Sequence, residues 1–260
     1  MSRDRDRTRI PLRDLSRVTR RAARGLFEAF AEIGGARLYP PQDARAAAHR
    51  LAAAAGAIAR AHELAVTVHG DIPRAPALVV THRVGDLASL ALLPVCPAIP
   101  VAPAAVRQWP VVRSLARAFG VAFITRADPM ARARALRRVH DLLAAGVSVI
   151  DYALPAPRDH THPIGAFRRG SFGIAARLGI PVVPVAIRYR DPTLAAATAT
   201  SATRRYLQLA ARPRLEIELH FGAPMWPRAG EPPEVMADRA RHRIARALRV
   251  VDAVARLRVA

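Results

Sequence analysis

The sequence contains no lysine: all 41 of its basic residues are arginine. That absence excludes a GxxxxGK[ST] phosphate loop, whose lysine reaches the phosphates, and no GxGxxG loop is present either. A single cysteine, Cys96, rules out an intramolecular disulfide and a cysteine-cluster metal site, and fits a reducing compartment. Aromatic residues make up only 5% of the chain, too few for the stacking platforms of single-strand binders. There is no GxSxG nucleophile elbow and no HExxH zinc helix. No metal ligand set and no cofactor are expected. Uninterrupted apolar helix is missing as well. The run from Leu87 to Val106 is uncharged and long enough to cross a bilayer. It carries Pro94, Pro97, Pro100 and Pro103, and each interior proline costs a helix about 3 kcal/mol. The charged N-terminus is followed by no apolar signal-peptide core, so export is not expected. Acidic residues are scarce, 20 against 41 basic ones, for a formal net charge of +21. Compositional bias accounts for the choice of arginine over lysine. The surplus of positive charge calls for an anionic partner: a membrane surface, a phosphorylated metabolite or a nucleic acid.

What the chain does contain is alternation of helical and strand patterns. Residues 1–24 hold nine arginines and read as a basic arm. It leads into an amphipathic helix whose apolar stripe is Leu26, Phe27, Phe30, Ala31 and Ile33, with Gly34-Gly35 as the expected stop. A long alanine-rich helix follows from about Asp43 to His62, then a strand at Leu64–Val68 and a turn at His69–Pro73. Ala77–Val80 is a fully apolar run of the buried parallel-strand kind. Further strands are expected at Val121–Ile124, Val147–Ile150, Pro181–Ile187 and Leu215–Phe221, the last alternating and near a sheet edge. Helices are expected at Leu87–Leu93, at Val111–Phe119, after Asp128-Pro129, at Ser171–Leu178, and from Glu231 to about Leu257. Segment 151–166 reads as loop. This order predicts an α/β fold, a single domain with a largely parallel central sheet flanked by helices and an N-terminal helical segment. The expected divisions are a basic N-terminal helical segment (1–62), an α/β domain (63–230) and a basic C-terminal helix packed on it (231–260).

One place stands out for chemistry. The run Ala77–Val80 feeds directly into Thr81-His82-Arg83-Val84-Gly85-Asp86, and the carboxyl end of a strand in an open α/β sheet is where ligands bind. If the chain makes one turn, Asp86 can meet His82, fix its tautomer and stabilise the imidazolium while the other nitrogen accepts a proton. The same spacing also allows His82 as a turn residue and Asp86 as a helix cap. His160 and His162, in the following loop region, are two further histidines that the pattern leaves as surface residues or site residues.

These residues resemble the glycerophospholipid acyltransferases of the lysophosphatidic acid acyltransferase type. His69-Gly-Asp-Ile-Pro followed by Ala-Leu-Val-Val-Thr-His82 is similar to the approach to that family's active-site histidine, which an Asp follows. Trp109-Pro110, an apolar helix and Gly120-Val-Ala-Phe-Ile-Thr-Arg126 resemble its second block, whose arginine contacts the acceptor phosphate. Phe167–Ala175, then Gly179–Ile187, resemble its later helix and proline-containing strand, and Leu215–Pro224 the strand after that. The order spans residues 60–225. Four features depart from the family. The His–Asp interval is one residue short, and Thr81 stands where Asn is usual. Asp151-Tyr-Ala-Leu-Pro-Ala-Pro-Arg158 replaces the third block, Phe-Pro-Glu-Gly-Thr-Arg. The lysine before Trp109 is absent, with Arg107 nearby.

The resemblance implies transfer of a fatty acyl group from acyl-CoA or acyl carrier protein, as co-substrate, to the hydroxyl of a lysophospholipid or related lipid acceptor. His82 would be the general base oriented by Asp86, and Arg126 would hold the acceptor phosphate. The basic N-terminal segment would dock on an anionic membrane surface, which places the protein in the cytoplasm, peripheral on the inner face of the cell membrane. The loss of the Glu-Gly-Thr block raises a second reading, a weakened relative that binds lipid or acyl chains without turnover. Charge alone raises a third, nucleic-acid binding, although the arginines are spread along the chain and no binding motif accompanies them.

Overall fold

The computed structural model describes residues 12–82, 87–104, 107, 109–124, 128–153, 164, 167–191 and 210–257. The chain opens with helix α1 (Leu12–Leu38), which runs through Gly34-Gly35 rather than stopping there. A glycine ends a helix when it takes a left-handed conformation, and neither of these does. Ile33 and Ala36, on either side of the pair, are buried, so packing holds the last turn despite the roughly 1 kcal/mol each glycine costs. The buried face of α1 is Val18, Arg21, Ala29, Ile33 and Ala36. The bulky apolar residues of the expected stripe lie outside it: Phe27 is 71% and Phe30 59% exposed, with Leu26 beside them. Small residues face inward because helix α2 (Ala44–Ala61) is itself alanine-rich and comes close. Gly25 makes this approach possible, since a Cβ there would meet the His62 ring at 2.6 Å.

Arg21 fastens α1 to the body of the molecule. Its side chain is fully buried and donates to Glu63 Oε2 (2.7 Å) and to the carbonyls of Ala210 (3.2 Å) and Arg212 (2.5 Å). Arg17 adds a bond to the Ala211 carbonyl at 3.1 Å.

From α2 the chain alternates β1 (Leu64–His69), β2 (Leu78–His82), α3 (Ala88–Val95), β3 (Ile99–Pro103), α4 (Pro110–Ala118), β4 (Ala122–Ile124), α5 (Pro129–Ala144) and β5 (Val149–Ala153). It continues through α6 (Arg169–Leu178), β6 (Val182–Tyr189), β7 (Leu215–Phe221) and α7 (Pro233–Leu257). Local chemistry sets the boundaries. Asp43 accepts from Ala46 N at 2.7 Å and Asp128 from Ala131 N at 3.0 Å, each capping a helix start. Gly179 ends α6 at φ +63°. The uncharged proline-rich run becomes α3 and then β3, and among the described residues no helix is long and apolar enough to cross a membrane.

The described strands form one seven-stranded sheet in the order β1-β7-β6-β2-β5-β3-β4. All neighbours are parallel except β6 and β7, so β7 and the edge strand β1 run against the other five. This is the single-domain, largely parallel α/β sheet that the sequence predicts. β2 lies inside the sheet, between β5 and β6, with Leu78, Val79 and Val80 completely buried. Helices cover both faces. Neighbouring residues of β5 show this directly: Tyr152 meets Ser89 of α3 on one face, and Asp151 meets Ser171 of α6 on the other.

Candidate active site

His82 is the last residue of β2, at the carboxyl end of a buried parallel strand. Side chains alternate along a strand, so the register Leu78↔Val149, Val80↔Asp151 and His82↔Ala153 puts His82 and Asp151 on one sheet face. They are diagonal neighbours, one pair apart, a relation that places Cβ atoms about 7–8 Å from each other. α6 and α7 cover this face.

The His82 ring is mostly buried and donates to the backbone carbonyl of Ile187 in β6. Its Nδ1 is buried and has no hydrogen-bond partner among the described residues. Burial lowers the imidazole pKa to about 4, against a partial opposing effect of the Ile187 bond, so the ring is neutral and its lone pair is on Nδ1. The imidazole is therefore a proton acceptor.

Asp151 is the residue that reading the sequence alone passed over. It begins the stretch that replaces the third block, and segment 151–166 was expected to be loop; in the structure β5 runs on to Ala153 and carries Asp151 on the His82 face. Burial raises its carboxyl to about 6, while the Ser171 hydroxyl, donating at 2.5 Å, and the Arg168 charge pull the other way. The signal available in the sequence was a lone acidic residue at the end of an apolar strand run. On the opposite face, burial pushes the Tyr152 phenol up to about 12, against its bond with Ser89 at 2.7 Å.

Asp86, Arg126, His160 and His162 lie outside the described residues. Arg107 does not stand free as a substitute for the missing lysine: its guanidinium lies over the Phe123 ring of β4, 5.3 Å from the centroid. The later blocks are packing elements. Phe172 of α6 is fully buried, and a Cβ on Gly170 would meet Leu136 at 2.8 Å. Gly222 donates to the Pro184 carbonyl at 2.8 Å, which ties the end of β7 to β6.

The chain is similar to known proteins. The 1-acyl-sn-glycerol-3-phosphate acyltransferase BAT2 of Brassica napus, a chloroplastic protein, is 33% identical over 78 residues, 30% of this chain and 22% of that protein. The chloroplastic 1-acyl-sn-glycerol-3-phosphate acyltransferase LPAT1 of Arabidopsis thaliana is 34% identical over 68 residues, 26% of this chain and 19% of that one. The chain thus spans about a fifth of the length of these curated relatives. The fold is shared with the crystal structure of PlsC, the 1-acyl-sn-glycerophosphate acyltransferase of Thermotoga maritima. The TM-score is 0.60 at 18% identity, over 90% of this chain and 98% of that one. Residues 65–188, which run from β1 through His82 and Asp151 into β6, match the model of the acyltransferase family.

Proposed function

We propose that the protein transfers a fatty acyl group from the thioester of acyl-CoA or acyl carrier protein to the hydroxyl of a lysophospholipid or related lipid acceptor. The observation that carries this reading is the buried, neutral His82 imidazole whose Nδ1 has no partner among the described residues, set at the carboxyl end of a buried parallel strand within the acyltransferase match. In the reaction His82 takes the hydroxyl proton as the oxygen attacks the thioester carbonyl. The thiol leaves with a proton, and no covalent enzyme intermediate is needed. Charging the buried ring unaided is costly. The Ile187 bond orients the ring, and Asp86, four positions further on, is the carboxylate we assign to stabilise the imidazolium by its charge. Arg126 is assigned to the acceptor phosphate, where its planar fork suits a bidentate contact.

The acceptor is amphipathic, and the surface of α1 suits a lipid interface. Leu26, Phe27 and Phe30 are exposed beside Arg20 and Arg24, an apolar patch with a cationic border. We infer that this face docks on anionic membrane.

The test is turnover by purified protein with acyl-CoA or acyl carrier protein and a panel of lysophospholipids, followed by mass spectrometry of the product. Activity should fall by about 10²-fold or more in His82→Ala. Undiminished activity in that variant would remove His82 from the mechanism. Acyl-CoA binding with no product from any acceptor would instead favour the non-catalytic reading, which the loss of the Glu-Gly-Thr block motivates.

A further inference from the structure

The sheet face that carries His82 carries two more histidines. β1 and β7 pair in register with His69 opposite His220, and Ala186 of β6 pairs with His220 on the other side. One step beyond Thr81↔Val185 in register, His82 lies beside Ala186. A row across the sheet therefore reads His69, His220, Ala186, His82. Glu218, two residues before His220 in β7, projects from the same face.

We propose that His69, Glu218 and His220 form a binding site for a zinc-class divalent cation, independent of the acyl-transfer reading. Each residue offers one ligand atom, and the three atoms lie within 4.8 Å of one another. Zinc–nitrogen bonds of about 2.0–2.1 Å separate two ligand atoms on a tetrahedral ion by about 3.3 Å, so closure draws the side chains together and leaves the backbone in place. Two imidazoles and a carboxylate are a donor set zinc accepts, with the fourth position left to water.

The frame is rigid where the ligands attach. β1 and β7 are bonded along their full length, and Gly70, directly after His69, is pressed onto β7. A Cβ at Gly70 would stand 2.2 Å from the Phe221 carbonyl oxygen, and its φ of +81° belongs to glycine. The side chains are the adjustable part. The two rings are stacked, with centroids 4.4 Å apart and 6° between planes, so their in-plane lone pairs run parallel. Coordination requires one ring to turn about χ2, a broad and soft torsion in histidine. His69 is exposed and has room to do so.

Burial, together with the nearby His69 and Arg188, keeps the His220 pKa below its ordinary value despite the pull of Glu218, so that ring offers a lone pair at neutral pH. For Glu218 burial acts upward, but the His220 bond and the Arg188 charge outweigh it and hold it ionised. Arg188 is the competitor. It reaches Glu218 Oε2 at 3.4 Å, as does His220 Nε2 at 3.3 Å, and a bound cation would take over that oxygen or use the other one. The ion would pin the edge strand β1, which directly follows α2, to the body of the sheet.

The experiment uses the tag-free full chain, stripped with chelator and titrated with zinc chloride by calorimetry, with thermal melts in parallel. Wild type should bind one equivalent and melt at a higher temperature with zinc. His69→Ala and His220→Ala should each weaken that equivalent by more than about tenfold, a scale reached even by outer-shell changes at metal sites. They should also lose the zinc-dependent shift in melting temperature. His69 is exposed at the end of an edge strand, so its variant tests ligation with little risk to folding. The proposal is overturned if wild type shows no saturable equivalent, or if His69→Ala and His220→Ala titrate like wild type.

Discussion

At the scale of single residues, His82 and Asp151, which share a sheet face, respond to acid in opposite directions. The His82 pKa is lowered from 6.5 to about 4, so acid protonates the unfolded chain first. Its contribution to stability is complete above 6.5 and is lost as pH falls towards 4, by about 3 kcal/mol. The Asp151 pKa is raised from 3.8 to about 6, so the unfolded chain ionises first as pH rises. That group costs nothing below 3.8 and costs about 3 kcal/mol above 6. In wild type the two effects largely cancel, and single substitutions separate them. Asp151→Asn should be more stable than wild type at pH 7, by up to about 3 kcal/mol, and equal to it near pH 4. His82→Gln should gain on wild type by a similar amount as pH falls from 7 to 4. Denaturant unfolding of the three proteins at both pH values measures this, since every other titrating group is common to them. A pH-independent difference for either variant would show that the environment of that side chain is misjudged. A carboxylate that costs stability at neutral pH, placed diagonally from an imidazole whose buried Nδ1 has no partner among the described residues, marks this face as built for more than packing.

At the scale of elements, α1 is held by an arginine rather than by apolar bulk. Arg21 is completely buried and carries the contacts to Glu63 and to the segment leading into β7, whereas Glu63 is about half exposed. Arg21→Ala strips its donors from several carbonyls at once and should lower unfolding stability by about 3 kcal/mol. Glu63→Gln removes only a partner that water can replace, and should cost less than about 1 kcal/mol. Equal denaturation midpoints for the two variants would mean that the buried guanidinium is not the anchor. Six of the seven described strands were legible because each is a local signal, an apolar run bounded by Gly or Pro, as at Ala77–Val80 and Pro181–Ile187, whereas β3 lies in the proline-rich run and was not among the expected strands. The end and the facing of α1 were not. Both depend on how closely the alanine face of α2 approaches, which no window of α1 contains. The site divided in the same way. His82 followed its strand and could be placed by reading along the chain. Asp151 acquired meaning only from the β2–β5 register, and His69 met His220 only through the pairing of an edge strand with a late one.

At the scale of the whole molecule, the net charge of +21 sets long-range attraction but cannot by itself select among anionic partners. The exposed aromatics of α1 make the choice testable. Nucleic acid offers such a patch no apolar phase, whereas a bilayer buries it. Binding to vesicles rich in anionic lipid should therefore have two components. The arginine part, on the order of 1 kcal/mol for each residue at the surface, weakens as salt shortens the reach of charge. The phenylalanine part persists in salt, because area removed from water does not depend on screening. Phe27→Ser combined with Phe30→Ser should cut vesicle partitioning by at least about tenfold at high salt, since each buried phenylalanine is worth about 1.5–3 kcal/mol. The same double variant should leave any weak affinity for duplex DNA unchanged. Co-sedimentation with vesicles across a salt series, beside a DNA titration, reads both quantities. If the double variant partitions like wild type at high salt, α1 is not the docking face. If vesicle binding vanishes with salt in wild type as well, the surplus charge acts alone and the exposed phenylalanines need another partner.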